Sequence, residues 1–89
     1  MGVIKLFVQQ KCHKCPQAKE VGNILKDEGF KVEEYDIKTA DGMAEAAFYS
    51  IQSTPVIILE DSDENIIAEF RDEIPTPQKV KDLLSGAQD

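Results

Sequence analysis

The chain has 89 residues, 42% of them hydrophobic, and 10 basic against 17 acidic side chains for a formal net charge of -7. That length suits a single small domain over residues 1–89, and the acidic excess argues against nucleic acid as a partner, because a phosphate backbone calls for a basic footprint. Two cysteines are too few for a disulfide scaffold, no segment can span a bilayer, and the first apolar stretch has neither the basic flank nor the small-residue cleavage site of a signal peptide; a cytoplasmic protein with no membrane partner is expected.

Val3 to Val8 reads as a buried strand, a continuous apolar run broken only by Lys5, and Gln9-Gln10-Lys11 links it to the next element. A helix is expected from about Lys14. Ala18, Val21, Gly22 and Leu25 recur at helical spacing with Ile24 widening the stripe, Pro16 fits the first turn, and Gly29 is a left-handed stop. Phe30 to Ile37 predicts a second strand, and its interspersed Glu33, Glu34 and Asp36 suit an edge. Thr39 or Asp41 can cap a second helix of about Asp41 to Tyr49, which ends before Ser53-Thr54-Pro55. Val56 to Leu59 is uniformly apolar and Ile66 to Phe70 is strand-like, with the polar run Glu60 to Asn65 as a hairpin loop between them. Thr76 is the expected N-cap of a last helix with Pro77 at its first position, Val80, Leu83 and Leu84 on its buried face and Gly86 at its end.

The resulting order is β-α-β-α-β-β-α. A strand, crossover helix and strand imply a parallel pair, and the short loop between the last two strands an antiparallel one. The expected fold class is therefore α/β, a mixed four-stranded sheet flanked by three helices.

Between the first strand and the first helix stands Cys12-His13-Lys14-Cys15, a C-x-x-C at a helix start. The thiolate is the reactive form of cysteine, and the unpaired amides and aligned dipoles of a helix N-terminus stabilise an anion. Lys11, His13 and Lys14 add positive charge next to Cys12, which is therefore the expected nucleophile and Cys15, one turn into the fold, the less exposed resolving thiol. Each modulator has a plainer reading beside this one: His13 as an exposed helix-start side chain, Lys11 and Lys14 as solvated cations. The same basic cluster can attract an acidic protein surface. A purely structural bond between cysteines so close in sequence would constrain the unfolded chain little, so a reversible one explains more.

Two other functions compete. Two thiolates and His13 can bind zinc or copper, but a closed zinc site wants four ligands, so only a dimer-bridging site is feasible and no metal is expected. A redox-silent docking module is the third reading, which the intact cysteine pair opposes. Attachment of c-type haem is excluded in its usual form because Pro16 follows Cys15, and no cofactor is expected.

With strand, C-x-x-C and helix at Cys12 to Cys15, Thr54-Pro55 entering Val56 to Leu59, and this element order, the chain resembles the thioredoxin and glutaredoxin superfamily, in its compact glutaredoxin-like form, over nearly its full length. The resemblance implies a thioredoxin-like fold and a protein-disulfide oxidoreductase that acts as an electron carrier in cell redox homeostasis. Its expected partners are disulfide-containing proteins and a reductant, either a flavoenzyme-type reductase or glutathione, and the protein is expected to be a monomer. It also implies a cis peptide bond at Pro55 beside the cysteines, with Thr54 backbone groups free to pair with an extended substrate; the plainer reading of Pro55 is a strand-entry proline.

The departures are specific. The chain has no Trp, carries Lys11 before Cys12, and has Leu6 where thioredoxins place a buried carboxylate. Where glutathione-using glutaredoxins show Gly-Gly-x-Asp after the last strand, this chain reads Phe70-Arg71-Asp72-Glu73; Arg71 can still attract a carboxylate, and its plainer, preferred reading is a solvated loop cation. Met43, Phe48, Tyr49 and Ile51 are expected to give core or rim packing, with a secondary role in gripping substrate.

Overall fold

Side-chain alternation along the central strands divides the molecule into two cores. The computed structural model describes residues 2–86. Strands β1 (Val3–Val8), β2 (Lys31–Asp36), β3 (Val56–Glu60) and β4 (Ile66–Arg71) form one sheet in the order β2-β1-β3-β4. β1 runs parallel to β2 and antiparallel to β3, and β3 antiparallel to β4, so β2 lies at an edge as its charges imply.

Ile4, Leu6 and Val8 of β1 and Ile57 and Leu59 of β3 point to one face, where helices α1 (Cys15–Asp27) and α3 (Pro77–Gly86) cover them with Cys15, Ala18, Leu25, Val80 and Leu84. The intervening residues Phe7, Val56 and Ile58 point to the other face and meet Ala46, Tyr49 and Ile51, which helix α2 (Ala40–Phe48) and its exit supply. Each of the larger of these side chains contributes about 1.5 to 3 kcal/mol when fully buried. With helices on both sides, β3 is buried along its whole length, which is why it reads as an unbroken apolar run.

Local chemistry sets the ends of the helices. Pro16 lies in the first turn of α1, and Gly29, at φ 95°, turns the chain out of it. The Thr39 hydroxyl accepts from the Gly42 amide at 3.0 Å and donates to the Asp36 carbonyl at 2.8 Å, fastening α2 to the end of β2. Gly42 must be glycine there, since a Cβ would lie 1.7 Å from the Asp36 oxygen. Thr76 caps α3 by accepting from the Lys79 amide at 3.1 Å.

Four expectations need correcting. Glu60 belongs to β3 rather than the hairpin loop and is only 3% exposed. It faces the α2 side, where Tyr49 donates its hydroxyl to one Glu60 oxygen and Lys5 Nζ approaches the other at 3.5 Å. Lys5 also donates to Tyr49 at 2.8 Å and Glu45 at 3.2 Å. The lysine that interrupts the first strand is thus matched by a carboxylate two strands of chain later. Burial alone disfavours its ammonium, but the hydrogen bonds to Tyr49 and Glu45 and the Glu60 charge outweigh that and raise its pKa.

Ile24 is largely exposed and does not widen the buried stripe of α1. On α2 the expected packing residues separate: Tyr49 and Ile51 are core, whereas Met43 and Phe48 are exposed, Phe48 resting edge-on against Tyr49 with ring centroids 4.9 Å apart. Finally, Arg71 is no solvated loop cation. It ends β4 and donates to the Tyr49 and Ser50 carbonyls at 2.9 and 3.4 Å and to Glu69 at 2.8 Å, so a cation closes the C-terminus of α2. Among the described residues, no helix is long and apolar enough to cross a membrane.

Candidate active site

Strand register gathers three distant segments at one end of the sheet. Phe7 pairs with Val56, and Val56 with Arg71, so the turn after β1, the residues before β3 and those after β4 all emerge together. These are Gln9 to Cys15, Ser53 to Pro55, and Asp72 to Glu73.

Cys12 and Cys15 are joined in a disulfide with a Cα separation of 5.3 Å. Cys15 opens α1 and is 2% exposed, while Cys12 is half-buried at the edge of the same core and is the more accessible sulfur. The helix start is bare: Lys14 is the N-cap residue without a side-chain cap, and no acidic residue stands in the first turn. The amides there keep their capacity to stabilise an anion on a neighbouring sulfur.

Lys11 and His13 are exposed, as their plainer readings hold, and Lys11 adopts a left-handed φ of 59°. Lys14 differs from expectation. Its Nζ donates to the Asp72 carbonyl at 3.2 Å and lies 3.7 Å from the Asp72 carboxylate. The Thr54-Pro55 peptide is cis, and Pro55 is buried with Thr54 half-exposed. The Gln9 side-chain amide donates to the Thr54 hydroxyl at 2.9 Å, linking the cysteine turn to the proline loop. Asp72 closes the third side: its amide donates to the Pro55 carbonyl at 3.0 Å, from a left-handed φ of 57°.

All seven residues singled out in the sequence therefore meet at one end of the sheet, joined by Gln9 and Asp72, which no motif marks. Both act through contacts across the fold, and only the turn propensity of an aspartate after a strand hints at the second. Beside the proline loop lies an open groove of about 580 Å³ lined by Ile37, Met43, Ala46, Ala47, Ile51 and Gln52. Among the described residues no group of three or more His, Cys, Asp or Glu side chains is placed to hold a metal ion. Chemically the arrangement offers a dithiol/disulfide pair with one accessible and one sheltered sulfur.

A probable thioredoxin of Archaeoglobus fulgidus is 29% identical over 89 residues, covering 99% of this chain and 96% of the relative. The chain is thus similar to a thioredoxin over almost the whole length of both proteins. Solved thioredoxins share its fold. Thioredoxin-2 of a malaria parasite superposes with a TM-score of 0.79 at 17% identity, over 97% of this chain and 82% of that one. A point mutant of thioredoxin from Halobacterium salinarum gives a TM-score of 0.79 at 20% identity, over 99% and 75%. No protein-family model matches the chain. Relative to the thioredoxin pattern, this chain has Leu6, 2% exposed, on the strand before the cysteines, and its buried carboxylate is Glu60, whose β3 position pairs with Val3 at the far end of β1.

Proposed function

We propose that the protein is a thiol–disulfide oxidoreductase that reduces protein disulfides, with Cys12 as nucleophile and Cys15 as resolving thiol. The observation that carries this reading is the Cys12–Cys15 disulfide at the uncapped start of α1, with the more accessible sulfur on Cys12. The reading accounts for the rest of the end of the sheet as well: the Thr54-Pro55 loop offers backbone groups to an extended substrate, and Lys11 and His13 favour an anionic sulfur.

The Cys12 thiolate attacks one sulfur of a substrate disulfide, forming a mixed disulfide as the first substrate sulfur leaves as thiolate and takes a proton. The Cys15 thiolate then attacks the Cys12 sulfur, the second substrate thiolate leaves, and two electrons have passed from the cysteine pair to the substrate. The Cys12–Cys15 disulfide is the oxidised product, which a flavoenzyme-type reductase or glutathione returns to the dithiol. The cytoplasm, where such a reductant is present, is the proposed compartment.

Cys15→Ser supplies the test. Mixed with a disulfide-containing protein, it is expected to accumulate a covalent adduct through Cys12, visible by mass spectrometry and released by dithiothreitol, while Cys12→Ser forms none and reduces no insulin. Wild-type rates of insulin reduction by Cys12→Ser would discard the assignment.

A further inference from the structure

Arg71 ties the end of β4 to the end of α2. We propose that this arginine is a positioning residue for the disulfide exchange: it presets the backbone of the loop from Ser50 to Pro55, and so sets how well an extended protein substrate binds rather than how fast sulfur is attacked. The proposal rests on the thiol–disulfide reading above, in which Thr54 offers backbone groups to the substrate, and adds the residue that holds them in place.

The loop begins at a strained helix end. The Ser50 amide donates to the Ala47 carbonyl at 3.1 Å and the Ile51 amide to the Ala46 carbonyl at 2.8 Å, the paired bonds that close a helix through a left-handed residue. That residue is Ser50, at φ 57°, where glycine is the usual occupant. The turn leaves the Tyr49 and Ser50 carbonyls outside the helix ladder, and the Arg71 guanidinium donates to both, at 2.9 and 3.4 Å. Glu69 accepts from the same guanidinium at 2.8 and 3.1 Å, which fixes its orientation.

The same strand end governs the other end of the loop. Arg71 pairs with Val56 in the ladder, and the next amide, that of Asp72, donates to the Pro55 carbonyl at 3.0 Å. Residues 71 and 72 thus grip the loop at its entry and its exit. Between them Gln9 fastens only the Thr54 side chain, and the Thr54 amide and carbonyl make no backbone hydrogen bond among the described residues. Free backbone groups bind an extended partner well only when their direction is fixed beforehand, since ordering them on binding costs affinity. Loosening the entry therefore weakens the binding of a protein substrate, while attack on a sulfur that makes no other contact is untouched. Arginine suits the role because its planar fork spans two successive carbonyls, which a lysine ammonium does not.

Wild type, Arg71→Gln and Arg71→Lys are compared in the reduced form, oxidation of the cysteine pair being followed by mass spectrometry after acid quench. The oxidants are insulin, a protein disulfide, and dithiodipyridine, a small uncharged one. Arg71→Gln is expected to raise the half-saturating insulin concentration about fivefold, less than the full worth of a charge-assisted hydrogen bond because water replaces it, with the limiting rate and the dithiodipyridine rate within about twofold of wild type. The increase should persist at about 0.5 M salt, where attraction between charges is screened beyond a few ångströms. Arg71→Lys, which keeps the charge and loses the fork, should lie between Arg71→Gln and wild type. Glu69→Gln leaves the arginine but frees its orientation; it should show a smaller increase of the same kind, and it provides the reading where Arg71→Gln does not fold. An unchanged half-saturating concentration in the folded variants, a loss shared equally by dithiodipyridine, a defect that vanishes in high salt, or full recovery in Arg71→Lys overturns the proposal and leaves the oxidoreductase reading intact. A wild-type cysteine pair that neither disulfide oxidises overturns both.

Discussion

Gln9 holds Thr54: the glutamine amide, three residues before the first cysteine, donates to the threonine hydroxyl at 2.9 Å across the end of the sheet. This bond joins a turn leaving β1 to the loop entering β3, two segments that the strand ladder itself stops short of connecting. Gln9→Ala is expected to cost about 1 kcal/mol of stability, the usual worth of a half-buried hydrogen bond. Because it loosens the proposed substrate loop without touching sulfur, reduction of a protein disulfide should slow while reduction of a small aromatic disulfide stays near wild type. Parallel assays with the two substrates check this split.

Native reduced protein should react unequally with iodoacetamide. Cys12 is half-buried at the helix start and Cys15 is 2% exposed, so the first alkyl group is expected on Cys12 at neutral pH, with Cys15 modified only after denaturation. Peptide mapping after a timed quench reads the order directly, and two inert thiols would remove the chemistry from this site.

Tyr49→Phe is expected to destabilise the protein by about 1 to 3 kcal/mol, since the buried Glu60 carboxylate loses its hydroxyl donor and Lys5 one of its acceptors. Chemical denaturation should show a lower midpoint at an unchanged slope. The cysteine end of the sheet should keep its alkylation pattern, because the Lys5–Tyr49–Glu60 group faces the α2 side toward the opposite end.

The same group makes stability depend on alkaline pH. Lys5 and Tyr49 have raised pKa values in the folded state, and Tyr35 is pushed up to about 12 by burial and its hydrogen bond to Glu33. A group that holds its proton more tightly when folded contributes its full stability below the unfolded pKa, about 10 for tyrosine and lysine, and loses it as pH rises through the folded value. Urea midpoints should therefore be level from neutrality to about pH 10 and fall above it, less steeply in Tyr49→Phe.

Lys11 occupies the left-handed region at φ 59°, where a side chain costs about 1 kcal/mol that glycine avoids. Lys11→Gly should be neutral or stabilising by up to about 1 kcal/mol, and Lys11→Val destabilising by about 1 to 2 kcal/mol, as read from thermal or urea unfolding.

The legible parts of this chain are those whose cause is local. Val3 to Val8, the Gly29 stop, the Thr76 cap and the edge placement of the charged second strand each follow from residues adjacent in sequence, and the structure has all of them; of the two caps open to the second helix, Thr39 and Asp41, it uses Thr39. The cysteine pair and Thr54-Pro55 were legible as motifs. Glu60 was not, because it closes an apolar strand and opens an acidic run, and only the burial of Lys5 on the same face gives it a place. Helix α2 is rich in alanine and glycine, so apolarity does not single out one of its faces, and Met43 and Phe48 could not be told from Ala46. Asp72 and Arg71 are defined by carbonyls from other loops, a kind of partnership that sequence spacing does not encode.

The strand at the sheet margin carries a further consequence. β2 turns outward a backbone row flanked by Lys31, Glu33, Glu34 and Asp36, and Glu34 already reaches to within 4.0 Å of Lys19 on α1. Were a second molecule to extend the sheet from this side, acidic groups would be crowded together along the join. Fibrillar stacking through this margin is therefore disfavoured by charge alone.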